Sequence, residues 1–138
     1  MPDILQDLPI EAPIDRVFEA VSTPAGLDAW WTHRSSGRPQ VGEEYELEFG
    51  AEYDWRAKVT RSSAPSEFEL ELTRADADWI GTRVTFRLRA RGDGTWLEFA
   101  HAGWKTANDH YRISCHCWAM YLRVLRRFLE HGETVAYE

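Results

Sequence analysis

The stretch from about Asn108 to His131 constrains this chain more than any other. It reads as one long amphipathic helix. Tyr111, Cys115, Trp118, Leu122, Leu125 and Leu129 recur at alternating spacings of four and three, which places them on one face. Ser114, Cys117, Tyr121, Val124 and Phe128 widen that stripe. Arg112, His116, Arg123, Arg127 and Glu130 fall on the opposite side. A helix with so wide an apolar face must lie on another apolar surface. Each large side chain it buries stabilises by roughly 1.5–3 kcal/mol, so the helix anchors whatever forms around it.

The only large candidate for that surface lies between about Glu43 and Gly103, where the period changes to two. Tyr45, Leu47 and Phe49 alternate with Glu44, Glu46 and Glu48. Trp55, Ala57 and Val59 alternate with Arg56, Lys58 and Thr60. Phe68, Leu70 and Leu72 alternate with Glu67, Glu69 and Glu71. Val84, Phe86, Leu88 and Ala90 alternate with Arg83, Thr85, Arg87 and Arg89. Such alternation marks antiparallel strands with one covered face and one wet face. Gly92-Asp93-Gly94 is a hairpin turn, and Leu97, Phe99 and His101 continue the pattern beyond it. On the wet face, Glu67–Glu71 opposes Arg83–Arg91 if the two strands form a hairpin through Arg74 to Trp79. These exposed pairs need no role beyond a solvated sheet face.

Ahead of the sheet, Ile4 to Ile10 reads as a first strand. Pro13 fits the first position of a helix whose apolar face is Ile14, Val17, Phe18 and Val21. Thr23 is an N-cap for a second short helix, Pro24 to about Trp31. Thr32 to Gly42 is polar, with Ser, Gly and Pro, and reads as a loop. The order predicts an α+β chain: a curved antiparallel sheet of about six strands wrapped around the long C-terminal helix, with two short helices after the first strand.

A chain of 138 residues fits one domain, 1–138, with enough bulk for a real core. The net charge of −7 argues against nucleic acid and against an anionic membrane, both of which select basic surfaces. No apolar leader and no membrane-length run is present in the sequence, so a cytoplasmic location is expected. Seven Trp are many for this length. Trp is favoured where an apolar body meets a polar tip, which fits a pocket, an interface or a Trp-rich core.

Three blocks together resemble the SRPBCC superfamily, also called START-like or Bet v 1-like, and within it the group related to the activator of Hsp90 ATPase (AHSA1-like). The first runs from Pro13 to Leu27 and closes in Trp30-Trp31. The second is Gly92 to Phe99, followed by His101-Ala102-Gly103-Trp104. The third is the closing helix, ending in Phe128-Leu129-Glu130-His131-Gly132. The resemblance covers nearly the whole chain. It implies a helix-grip fold with a hydrophobic cavity between sheet and helix. Members bind lipids, sterols, polyketides or other apolar molecules; some are cyclases or hydrolases, and some are co-chaperones. The superfamily has no shared catalytic motif, so the fold does not settle the chemistry.

Candidate ligand-binding residues follow from parity and helical phase. Trp55, Phe86, Phe99, Trp118 and Tyr121 project into the space between sheet and helix, as pocket walls or as plain core. Trp30 and Trp31 end the second helix, where they either plug the core or line an entrance. His101 shares parity with Leu97 and Phe99 and faces inward, as a satisfied structural histidine or as a group that orients a ligand. The run Cys115-His116-Cys117, with His110 nearby, lacks the spacing of a metal site, so no metal and no cofactor are expected. Two residues apart on a helix is about 200°, so Cys115 and Cys117 do not bond to each other. Three readings compete: a binder of a hydrophobic or aromatic small molecule, a cyclase- or hydrolase-type enzyme using His101 with Tyr121 or Cys117, and a protein-interaction module like the Hsp90 activators. The first is favoured, because no nucleophile, base and orienting group stand together in the sequence. A homodimer is left open.

Overall fold

The structure is a computed structural model that describes residues 2–50 and 54–133. Seven strands form one antiparallel sheet: β1 (Ile4–Ile10), β2 (Arg34–Ser36), β3 (Glu44–Glu48), β4 (Asp54–Ser63), β5 (Glu67–Arg74), β6 (Arg83–Arg91) and β7 (Gly94–Ala102). Their spatial order is β1-β7-β6-β5-β4-β3-β2. The helices are α1 (Ile14–Ser22), α2 (Pro24–Trp30) and α3 (Asp109–His131). The expected α+β helix-grip architecture is present, with one strand more than expected. The extra strand is β2, inside the stretch expected to be loop. Its three residues, Arg34, Ser35 and Ser36, pair with Glu48, Leu47 and Glu46 at the sheet edge. An edge strand this short and polar has no inward apolar alternation to betray it.

Each element ends where its local chemistry ends it. Pro13 is the N-cap of α1 in extended conformation, one position earlier than expected. Thr23 caps α2 as expected, its Oγ1 accepting from Gly26 N at 3.0 Å. Gly26 is required there for space. A Cβ on it would lie 2.5 Å from the Glu19 carbonyl oxygen and 2.6 Å from Ala20 Cα, so only glycine lets α2 fold back so closely on α1. Gly92 has φ of 61° at the first position of the two-residue β6–β7 turn, a conformation that favours glycine. Asn108 caps α3, accepting from Tyr111 N at 2.9 Å, and Gly132 closes it in the left-handed conformation.

The inward sheet face and α3 share one apolar interior. Phe68 pairs with Phe86, and Phe86 with Phe99, so three aromatic rings run side by side across β5, β6 and β7. From α3, Trp118, Leu122, Leu125 and Leu129 are buried against this face, with Ser114 and Tyr121 beside them. Tyr111 and Cys115, at the start of the stripe, stay half-buried. Three polar contacts fix α3 along β1 and the residues on either side of it. Gln6 Nε2 donates to Cys115 O at 3.1 Å, Tyr111 OH donates to Asp3 O at 2.9 Å, and Glu11 N donates to Glu130 Oε2 at 2.8 Å.

The outer face is wet and charged, in the register expected. Glu67 lies opposite Arg87 and Glu71 opposite Arg83, with ion pairs of 3.0 and 3.4 Å. Glu69 is buried among its neighbours and accepts from Thr60 Oγ1 at 2.8 Å and Thr85 Oγ1 at 2.7 Å. Among the described residues, no helix is long and apolar enough to cross a membrane.

Candidate functional site

The space between α3 and the sheet is filled by rings. Trp118, projecting from the middle of α3, is fully buried. Its ring centroid lies 4.5 Å from Phe99, 5.3 Å from Trp31, 5.7 Å from Tyr121 and 5.8 Å from His101. Trp30 stacks on Trp31 at 6.0 Å and meets Phe86 edge-on at 5.9 Å. Phe49 touches both Trp31 and Trp55. The eight residues singled out from the sequence therefore converge on one aromatic assembly. Trp30 and Trp31 stand inside it, 3% and 1% exposed, not at an open entrance. Trp30 is held by its Nε1, which donates to Ala20 O at 2.9 Å.

One polar chain threads this assembly. Trp118 Nε1 donates to His101 Nδ1 at 3.0 Å. That bond fixes the tautomer, because a nitrogen that accepts carries no proton. The proton is then on Nε2, which donates to Thr82 Oγ1 at 2.7 Å. Thr82 Oγ1 donates in turn to Trp79 O at 2.6 Å. Burial, with a smaller electrostatic contribution from His110, pushes His101 down to about 3. His101 is thus neutral at pH 7, with both nitrogens engaged.

Two residues at the centre of this geometry were not singled out from the sequence. Thr82 ends the β5–β6 connection and terminates the His101 chain. Trp79, from the same connection, reaches into the assembly and is 6% exposed. Its ring lies 4.5 Å from His101, 4.9 Å from Trp55 and 5.8 Å from Trp118, stacked on the last at 20°. Trp104, in the β7–α3 connection, closes over the same place, 5.0 Å from His101 and 6.2 Å from Trp79. The signal for Trp79 was a lone indole that follows a run of small and acidic residues, Ala75 to Asp78. Alternation and helical phase do not register a side chain delivered by a turn.

The Cys117 thiol is pushed up by burial, which disfavours the nucleophilic thiolate. Among the described residues, no three His, Cys, Asp or Glu side chains gather as a metal-holding group. Cys115 and Cys117 are both free thiols.

A curved antiparallel sheet closed on a long C-terminal helix defines the helix-grip class of the SRPBCC superfamily. Within that class the chain belongs to the activator of Hsp90 ATPase homolog 1-like family, whose family model matches residues 11–130. Among solved structures it is similar to the Aha1 dimer from Colwellia psychrerythraea, at 27% identity and a TM-score of 0.87, covering 96% of this chain and 99% of that one. It is similar to protein BH1534 from Bacillus halodurans, at 26% identity and a TM-score of 0.79, covering 94% and 98%. CalU16 from Micromonospora echinospora shares the fold at 23% identity and a TM-score of 0.75, covering 94% and 77%. No curated protein matches the chain.

Proposed function

We propose that this protein binds a flat, apolar or aromatic small molecule in the space between α3 and the inner sheet face. The observation that carries this reading is the buried Trp118–His101–Thr82 chain within an otherwise aromatic interior. A core that needed only stability is served by apolar side chains of the same volume. The imidazole and hydroxyl hold the Trp118 ring in one orientation, a preorganised flat wall against which an aromatic guest can stack. The aromatic walls supply the affinity, at roughly 25 cal/mol per Å² buried before ordering costs. The cyclase or hydrolase reading has less support, since neither His101 nitrogen is free to serve as a base and the Cys117 thiol is disfavoured as a nucleophile. The close ring packing favours a second reading, an interaction module like the Hsp90 activators, for which a sealed interior suffices. A homodimer is proposed with either reading, by similarity to the Colwellia protein described as a dimer.

The test is a melting series against a panel of lipids, sterols and polycyclic aromatic compounds. A compound that binds the native state raises the melting temperature in proportion to RT ln(1 + [L]/Kd). A concentration-dependent rise with at least one flat aromatic compound is expected. No shift across the panel would remove the binding reading and leave the interaction module.

A further inference from the structure

Trp79 occupies the sheet–helix space without belonging to either the sheet or the helix. It comes from the turn between β5 and β6, whose base is clamped by Gly81 N and Leu72 N, donating to Leu72 O and Thr82 O at 2.8 and 2.9 Å. The indole lies against five aromatic rings: Trp55 and His101 from the sheet, Trp118 and His110 from α3, and Trp104 from the β7–α3 connection. It lies nearly parallel to Trp118, as a flat guest would.

The polar accounts of this position do not close. Trp79 Nε1 and Trp104 Nε1 are both buried, and neither has a hydrogen-bond partner among the described residues. Their side chains are 6% and 1% exposed. Each forgoes the hydrogen bond it makes in water, and buried donors are paired in the great majority of proteins. Trp30 and Trp118, in the same assembly, are both paired. Among the described residues, the buried indole donors left unpaired are those of Trp79 and Trp104, which connecting segments bring in; the other unpaired buried donor is Arg56 Nε, on β4.

The turn is also latched from outside. Asp78, next to Trp79 and exposed, lies 3.0 Å from His110 Nδ1 through Oδ2 and accepts from Asn108 Nδ2 at 3.3 Å through Oδ1. Asn108 is the residue that caps α3. The latch is therefore made at the helix N-terminus, by solvent-exposed groups that exchange readily for water.

We propose that Trp79 is a built-in, displaceable occupant of the binding position: a bicyclic aromatic molecule carrying a hydrogen-bond acceptor, such as a carbonyl or phenolic oxygen, takes the place of its indole when the β5–β6 turn tilts out and the Asp78 latch opens. Displacement returns the Trp79 N–H to water. An acceptor on the incoming molecule can then satisfy Trp104 Nε1, left unpaired beside the same position. The inference rests on the sheet–helix space being a binding site, and it adds the class of ligand and the gate.

Isothermal titration calorimetry with 2-naphthol on the whole protein tests it, comparing the wild type with Trp79→Ala and Asp78→Ala. A plug that holds the position most of the time lowers apparent affinity by the fraction of open molecules. Trp79→Ala is expected to bind about tenfold tighter or more, and Asp78→Ala, which keeps the indole but loosens the latch, about threefold tighter. Both gains are required. A gain in Trp79→Ala alone would mean only a cavity made by truncation and would overturn the proposal. If Trp79→Ala fails to fold, Asp78→Ala decides: tighter binding supports the gate, and unchanged binding overturns it. Wild-type binding with no gain in either variant defeats the plug while leaving the site itself standing. No binding by any of the three proteins removes both.

Discussion

His101 is the residue whose chemistry the interior controls most. Its folded pKa of about 3 lies below the value near 6.5 expected in the unfolded chain. The folded state therefore holds the neutral ring while the unfolded state takes up a proton. Stability from this group is complete above about pH 6.5 and is lost as pH falls toward about 3, at about 1.4 kcal/mol per pH unit. His101→Gln keeps an acceptor for Trp118 but cannot be protonated in that range. Urea denaturation from pH 7 to pH 4 should show the wild type losing stability more steeply than the variant. Parallel curves would mean that His101 titrates alike folded and unfolded. The sequence placed this histidine inward by parity alone. Its partners were beyond reach, because Thr82 and Trp118 lie 19 and 17 residues away and meet it only through the fold.

At the scale of elements, α3 is the keystone, and its phase was legible because one stripe is apolar and the opposite side is charged. Leu122 and Leu125 are 2% and 0% exposed at the centre of that stripe. Leu122→Asp or Leu125→Asp places a carboxylate there without a partner, a cost of several kcal/mol that exceeds much of a small protein's stability. Each variant is expected to lose its cooperative thermal transition by circular dichroism. A normal transition in both would mean the stripe does not bear the load assigned to it. The strands were legible for a matching reason, since one face is dry and the other carries Glu and Arg in register. β2 was not, because three polar edge residues pair through backbone alone. The turn between β5 and β6 was legible, but the inward course of its Trp79 was not. Its small and acidic neighbours, Ala75 to Asp78, resemble those of any exposed turn, and only tertiary packing sends the indole inward.

Across the whole molecule, the family resemblance and the alternation of period fixed the architecture, and the same parity rules gathered the candidate residues into one assembly. What they could not fix is whether rings that line a space also fill it. That depends on side chains from the connections, Trp79 and Trp104, which enter the interior from its end. The central claim is that this assembly receives an aromatic guest. The most direct measurement is the set of Trp indole N–H resonances in a proton–nitrogen NMR spectrum during titration with 2-naphthol. Trp96 is an internal control, because its ring lies on the outer face beneath Arg89 and Arg91, 5.8 and 5.0 Å from their guanidinium carbons. Saturable shifts of the Trp79, Trp104 and Trp118 resonances, with Trp96 unmoved, are the predicted result. Movement of Trp96 alone, or no movement at saturating 2-naphthol, would contradict it.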